Sequence, residues 1–139
     1  MATITVEEND RLVREHFDRV WNHGEFDTDN LADDYRVQTN LGAHEEHPLE
    51  KFQAFVAQAR EAVPDLHKEI EDTIATAEKV VVRYTMTGTQ QGEFKGIPPT
   101  GEDVEIAGIA IYRVDDGTIT EAWIVSDFLR AMKQLGVVE

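Results

Sequence analysis

The sequence predicts an α+β domain in which N-terminal helices are wrapped by a strongly curved, mainly antiparallel sheet, a cone-shaped barrel enclosing one pocket. Two patterns predict it. Up to Val63 apolar residues recur at helical spacing, and from Leu66 onward they alternate strand by strand as far as Asp127. Helices that precede an antiparallel sheet cover one of its faces, and a long twisted sheet bent over them leaves a concave space at its open end. No repeat, low-complexity run or linker divides the 139 residues, so 1–139 read as one domain.

Thr5-Val-Glu-Glu8 has the form of a capping box. It predicts a first helix carrying Val13, Phe17, Val20 and Trp21, which Asn22-His-Gly24 ends. Phe26 to Asp34 predicts a short second helix capped by Asp27 or Thr28, and Tyr35 to Thr39 a short strand. A loop follows from Asn40 to His47. Pro48 suits the first position of a third helix, whose apolar face is Phe52, Phe55, Val56, Ala59 and Val63 and which Pro64 stops. Leu66 to Ala75 reads as a polar-rich strand. Lys79 to Gln90 is a clearer one, with Val80, Val82, Tyr84 and Met86 on one face and Val81, Arg83, Thr85 and Thr87 on the other. Gly92 to Gly101, with Pro98-Pro99, is a loop. The strands Val104–Val114 and Thr118–Asp127 form a hairpin about the turn Asp115-Asp-Gly117. The last helix is Phe128 to Leu135, with Gly136 placed to end it.

Composition excludes several function classes. There is no cysteine, hence no disulfide, thiolate nucleophile or cysteine zinc site. With 28 acidic residues against 13 Lys and Arg, a net charge of −15, nucleic acid and anionic membrane are poor partners. No stretch approaches a membrane span, and the N-terminus lacks the basic start and apolar run of a signal peptide; a cytoplasmic protein is expected. The acids are dispersed rather than gathered in a tail, and only five of the basic residues are Lys. Such a surface suits a salt-adapted, haloarchaeal-type cytoplasm, because molar salt shortens the Debye length to about 3 Å and quenches self-repulsion.

Chemistry concentrates near Asp127, a carboxylate at the end of a largely apolar strand. That placement is costly, so the residue is a helix cap, an ion-pair member or a catalytic base. Trp123 lies in phase with it, as a pocket wall, a core residue or a dimer contact. Tyr84 is a core residue that can also offer its hydroxyl to a ligand. Trp21, Phe52 and Phe55 are helix core faces that form an inner pocket wall. His67 is either a pocket residue or an exposed strand start. His44 and His47 lack a third ligand and read as a solvated loop, so no metal is expected. Glu121 pairs with a basic strand residue such as Arg113. Gly96-Ile-Pro-Pro-Thr-Gly101 carries no phosphate-loop signature and forms a rigid rim.

Pro64-Asp-Leu-His67, Gly88-Thr89, Gly92-Glu-Phe94, Gly96-Ile-Pro-Pro-Thr-Gly101, Tyr112-Arg113, Asp116-Gly117, Ile119-Thr-Glu121, Trp123, Asp127 and Gln134-Leu-Gly136 fall in order along the chain. Together they resemble the SnoaL-like polyketide (ester) cyclases of the nuclear-transport-factor-two-like superfamily, over nearly the whole length. The resemblance implies a cofactor-free aldol closure on a small hydrophobic or carbonyl-containing molecule. It implies Asp127 as general acid and base, and a homodimer. Two departures stand out. Family members commonly have His where this chain has Ala122, and many have His where it has Asn40. Asn40 can still donate a hydrogen bond to an enolate oxygen. A non-catalytic ligand-binding or dimerisation module, or an isomerase or hydrolase, are the alternatives on this scaffold.

Overall fold

The computed structural model of the chain describes residues 2–39 and 45–138. Helix α1 (Ala2–Asp18) starts before the predicted cap and buries Val13 and Phe17. It widens into a π-helical turn, Arg19–His23, which buries Val20 and Trp21 and closes at left-handed Gly24 (φ 69°).

The predicted second helix is corrected. Only Thr28–Asn30 turns, as one 3₁₀ turn, and strand β1 (Leu31–Thr39) follows at once. Leu31 and Tyr35 are four apart, which reads as helical in sequence. Both are buried because β1 lies parallel to a strand some ninety residues later, with a register irregularity between Leu31 and Arg36. The segment expected to be loop ends in strand β2 (Glu45–Pro48), paired antiparallel with β1. Helix α2 (Leu49–Ala62) then buries Phe52, Val56, Ala59 and Ala62.

Strands β3 (His67–Ala75), β4 (Lys79–Thr89), β5 (Asp103–Asp115) and β6 (Thr118–Ser126) form an antiparallel meander, and α3 (Phe128–Gln134) closes the fold. The β5–β6 turn has positive φ at both central residues, Asp116 (48°) and Gly117 (78°), the backbone of a type I′ hairpin. Sheet order is β2-β1-β6-β5-β4-β3, antiparallel except for β1 and β6. Among the described residues the outer strands β2 and β3 do not pair with each other, so the expected cone is formed by a curved sheet that stays open.

Alternation along the strands separates an inner from an outer face. In β4, Val80, Val82 and Tyr84 point inward onto Phe17 and Val13 and are fully buried. In β6, Thr120 is an extra residue, because Arg113 pairs with Glu121 and Val114 with Ile119. Beyond that bulge the inward positions are Ala122, Ile124 and Ser126, and the outward ones Trp123 and Val125. Arg113 Nε lies 3.7 Å from Glu121 Oε1 on the outer face. No described Asp or Glu is buried, and no helix of the described residues is long and apolar enough to cross a membrane.

Candidate functional site

The inner face, α2 and α3 enclose a chamber of about 110 Å³. Its walls are overwhelmingly apolar. Trp21 comes from the π turn and Phe52 and Phe55 from α2. Phe94 and Ile97 come from the loop after β4, Ile106 and Ile124 from the sheet, and Phe128 and Met132 from the last helix. Edge-to-face and stacked aromatic contacts link Trp21, Phe52 and Phe55, with ring centroids 5.8–6.5 Å apart. Four polar side chains join them: Thr39, Gln90, Ser126 and Lys68.

Gln90 is spent on the loop. Its amide nitrogen donates to the Gly92 and Ile97 carbonyls, and its oxygen accepts from the Thr100 backbone N–H (3.2 Å) and hydroxyl (2.8 Å). This buried amide pins Gly92–Gly101 as a fixed wall, the rim expected from its prolines.

Ser126 hydrogen-bonds the hydroxyl of Tyr84 at 2.5 Å. The geometry comes from three residues in register across adjacent strands: Tyr84 opposite Gly108, and Gly108 opposite Ser126. A Cβ on residue 108 would sit 2.4 Å from the Tyr84 Cζ and Oη, so only glycine lets the ring cross β5. Burial raises the Tyr84 pKa, and the Ser126 bond pulls it back in part.

Lys68 is the single titratable side chain among the described residues that line the chamber. Its amine lies 3.3 Å from the ring centroid of Trp21, 4.4 Å from that of Tyr84 and 5.9 Å from that of Phe17. Among the described residues no carboxylate pairs with it and no acceptor takes its protons. Asn22, on the π turn, brackets its backbone. The Asn22 Oδ1 accepts from the Lys68 N–H at 2.7 Å, and Nδ2 donates to the Lys68 carbonyl at 3.1 Å. Two effects oppose each other at the amine. Attraction to desolvated rings favours the ammonium by about 2 kcal/mol. Taking an ion out of water costs several kcal/mol even after relaxation. Burial wins, and holds the Lys68 pKa well below the ordinary lysine range.

Asp127 is placed differently from the expectation of a dry pocket base. Its side chain is exposed and accepts a hydrogen bond from the Arg130 N–H at 3.1 Å, capping α3. It stands between two chamber residues, Ser126 and Phe128, but does not itself line the chamber. Trp123, in phase with it, is corrected from pocket wall to outer face, where Arg113 (5.6 Å) and Lys79 (5.8 Å) approach its ring. His67, expected either in the pocket or as an exposed strand start, is the exposed first residue of β3, 2.9 Å from Glu69, and does not line the chamber. Trp21 and Phe52 line the chamber, and Tyr84 reaches it through Ser126. Asn40 and His44 lie outside the described residues. His47 lines a second cavity of about 260 Å³, which shares Thr39, Phe52 and Phe55 with the first and carries Lys51 and Lys95. Three of the chain's five lysines therefore border the two cavities, in a protein of net charge −15.

Sequence reasoning missed Lys68 and Ser126. Both had a signal. Lys68 stands in the row Leu66, Lys68, Ile70, and Ser126 continues the row Ala122, Ile124. A polar residue in an inward row is the mark of a site.

Residues 11–135 match the family described as SnoaL-like polyketide cyclase. This chain belongs to that family. Its fold is the nuclear-transport-factor-two-like cone, shared with solved relatives over nearly their whole length. AclR of Streptomyces galilaeus, a candidate hydroxylase, is 25% identical with a TM-score of 0.84, covering 96% of this chain and 99% of AclR. TsrD of Streptomyces laurentii is 28% identical with a TM-score of 0.79, covering 95% and 97%. IdmH of Streptomyces antibioticus, a candidate polyketide cyclase, is 26% identical with a TM-score of 0.76, covering 91% and 97%. No curated protein matches the sequence.

Proposed function

We propose that this cyclase-family chain takes a small, mostly apolar carbonyl compound into the chamber and closes a ring on it by an aldol-type step driven by protein side chains. The observation that carries the reading is the Lys68 amine, lodged among aromatic rings as the one titratable group of the described residues on the chamber wall. An amine whose pKa is lowered by burial is unprotonated in larger fraction near neutrality, and so can activate the carbon beside a carbonyl. Ser126, hydrogen-bonded to Tyr84 behind it, presents a chamber-facing hydroxyl to the oxygen that gains charge. Lys51 and Lys95 in the adjoining cavity favour a substrate whose outer end is oxygen-rich.

A second reading gives the proton transfer to Asp127, favoured by its place between Ser126 and Phe128 and by the family resemblance. It requires the carboxylate to leave its cap and turn inward. One experiment separates the two. Linear diketones spaced for five- or six-membered ring closure are assayed with the wild type, Lys68→Met and Asp127→Asn. Asparagine caps a helix about as well as aspartate, so the second variant removes only the charge. Loss of about 100-fold in kcat/KM for Lys68→Met, with Asp127→Asn within about 3-fold, supports the first reading. The reverse pattern assigns the chemistry to Asp127. Binding of every diketone without closure identifies a ligand-binding module.

A further inference from the structure

We propose that Lys68 acts as a nucleophile, its Nζ forming an imine with an aldehyde or ketone held in the chamber. The inference rests on the carbonyl-compound reading above and goes beyond it, because that reading needs an amine that activates the substrate but not a covalent bond.

Four observations converge on the residue. Lys68 is 4% exposed yet its side chain faces an open chamber. Its nitrogen meets aromatic faces and, among the described residues, no carboxylate or hydrogen-bond acceptor, so no partner must be displaced before the lone pair attacks. A lysine kept in a core for structure alone is expected to have such a partner, since an isosteric apolar side chain would be less costly there. Its backbone is fixed on both sides by Asn22, and Asn22 and Trp21 are both presented by the π-helical turn, an irregularity that interrupts α1 at this point. The amine is therefore positioned from two elements at once, by a wall of the first helix and by the alternation of β3.

The chemistry balances without an added oxidant or cofactor. The Nζ lone pair adds to the carbonyl carbon, and a proton moves from nitrogen to the former carbonyl oxygen, giving a carbinolamine. That takes up one proton and expels water to leave an iminium ion. The iminium acidifies the adjacent C–H, whose proton leaves and replaces the one consumed, giving an enamine. The enamine carbon attacks a second carbonyl of the same molecule, forming the ring bond, and the new alkoxide takes a proton. Water then hydrolyses the iminium, releasing the amine, a proton and the cyclised product. One water is lost and one regained, and no net proton is consumed. The low-dielectric walls favour the early steps, because an ammonium cannot attack and desolvation keeps the amine in its reactive form.

Acetylacetone is a suitable probe: it condenses with an unprotonated amine, with loss of one water, to a stable conjugated enaminone that persists through mass analysis. The wild-type protein is incubated with it at neutral pH, and intact mass, absorbance and peptide mapping are followed. The other four lysines are exposed and serve as internal controls. The expected result is one adduct per chain, mapped to Lys68, forming at least about tenfold faster than on any other lysine and absent from Lys68→Met. Mapping on the wild type needs no variant, so the result stands even if the substitution disturbs folding. Adducts spread evenly over the exposed lysines, or no adduct on Lys68 while the probe quenches Trp21 fluorescence, overturn the proposal. If ring closure needs Lys68 but no adduct forms there, the covalent step fails and the proposed function survives. If the adduct forms but no diketone is cyclised, the proposed function fails and the nucleophile stands.

Discussion

Replacing Lys68 by methionine is expected to change how stability depends on pH, with a sign set by its buried amine. In the unfolded chain Lys68 keeps its proton up to about pH 10.5, whereas burial makes the folded amine release it lower. Between those two values the unfolded state binds more protons, so the stability of the wild type rises with pH. It is fully expressed above the unfolded value and is lost as pH falls through the folded one. The slope is about 1.4 kcal/mol per pH unit. Each pH unit between the two values is therefore worth roughly 5 °C in Tm for a domain of this size. Buried Tyr35, Tyr84 and Tyr112, whose hydroxyls are held above their usual range, pull the other way in both proteins. The difference between wild type and Lys68→Met cancels them. Urea unfolding across the pH series reads it directly. Parallel pH profiles for the two proteins would mean that Lys68 keeps its proton when folded, and would refute the reasoning.

Four further outcomes are expected. His16 is buried against Tyr35 and Tyr112 with its Nδ1 unpartnered, and burial, opposed in part by Asp27, lowers its pKa to about 4. Its stabilising contribution is present above pH 6.5 and is lost as pH falls towards 4, up to about 3 kcal/mol; His16→Phe should flatten that part of the acid unfolding curve. Gly108→Ala should cost about 2–4 kcal/mol in urea unfolding, combining overpacking with loss of the Tyr84–Ser126 bond; a loss below about 0.5 kcal/mol would mean the ring does not need that gap. The melting temperature should rise from dilute buffer to molar KCl, because screening relieves repulsion among 28 acids; an unchanged value removes the salt-adaptation proposal. We also propose a homodimer through the outer face, where Ile109 and Val125 are 46% and 61% exposed beside Trp123. Sedimentation should give twice the chain mass for the wild type and the chain mass for Val125→Arg, whereas a monomeric wild type contradicts it.

The parts of the fold legible in the sequence are those set by local period. Val80 to Met86 alternate cleanly because β4 lies inside the sheet and is buried on one face only, and Asp115-Asp-Gly117 marks the β5–β6 hairpin because few residues tolerate two positive φ angles. Of the first strand, Tyr35 to Thr39 was legible, while its first half was hidden because its burial comes from a parallel partner far away in the chain. Leu31 and Tyr35, four apart across an irregularity, imitate a helix. Parity told that Trp123 and Asp127 share a phase, but not which face that phase presents; only the packing of α1 against the sheet decides this, and it puts Ala122, Ile124 and Ser126 inside. The same limit explains the site. Helical periodicity pointed to Trp21 and Phe52, while Lys68 was overlooked beside His67, whose chemistry draws attention but whose parity turns it to solvent.

The most direct test of the account is the protonation state of the Lys68 amine. Lysine labelled with ¹⁵N at the side-chain nitrogen should give five resonances, with Lys68 identified by its loss in Lys68→Met, and each followed through a pH titration. Lys68 is expected to titrate well below the ordinary lysine range, with an amine-like shift at pH values where a free lysine side chain is still ammonium. A Lys68 signal titrating within the ordinary lysine range would contradict this.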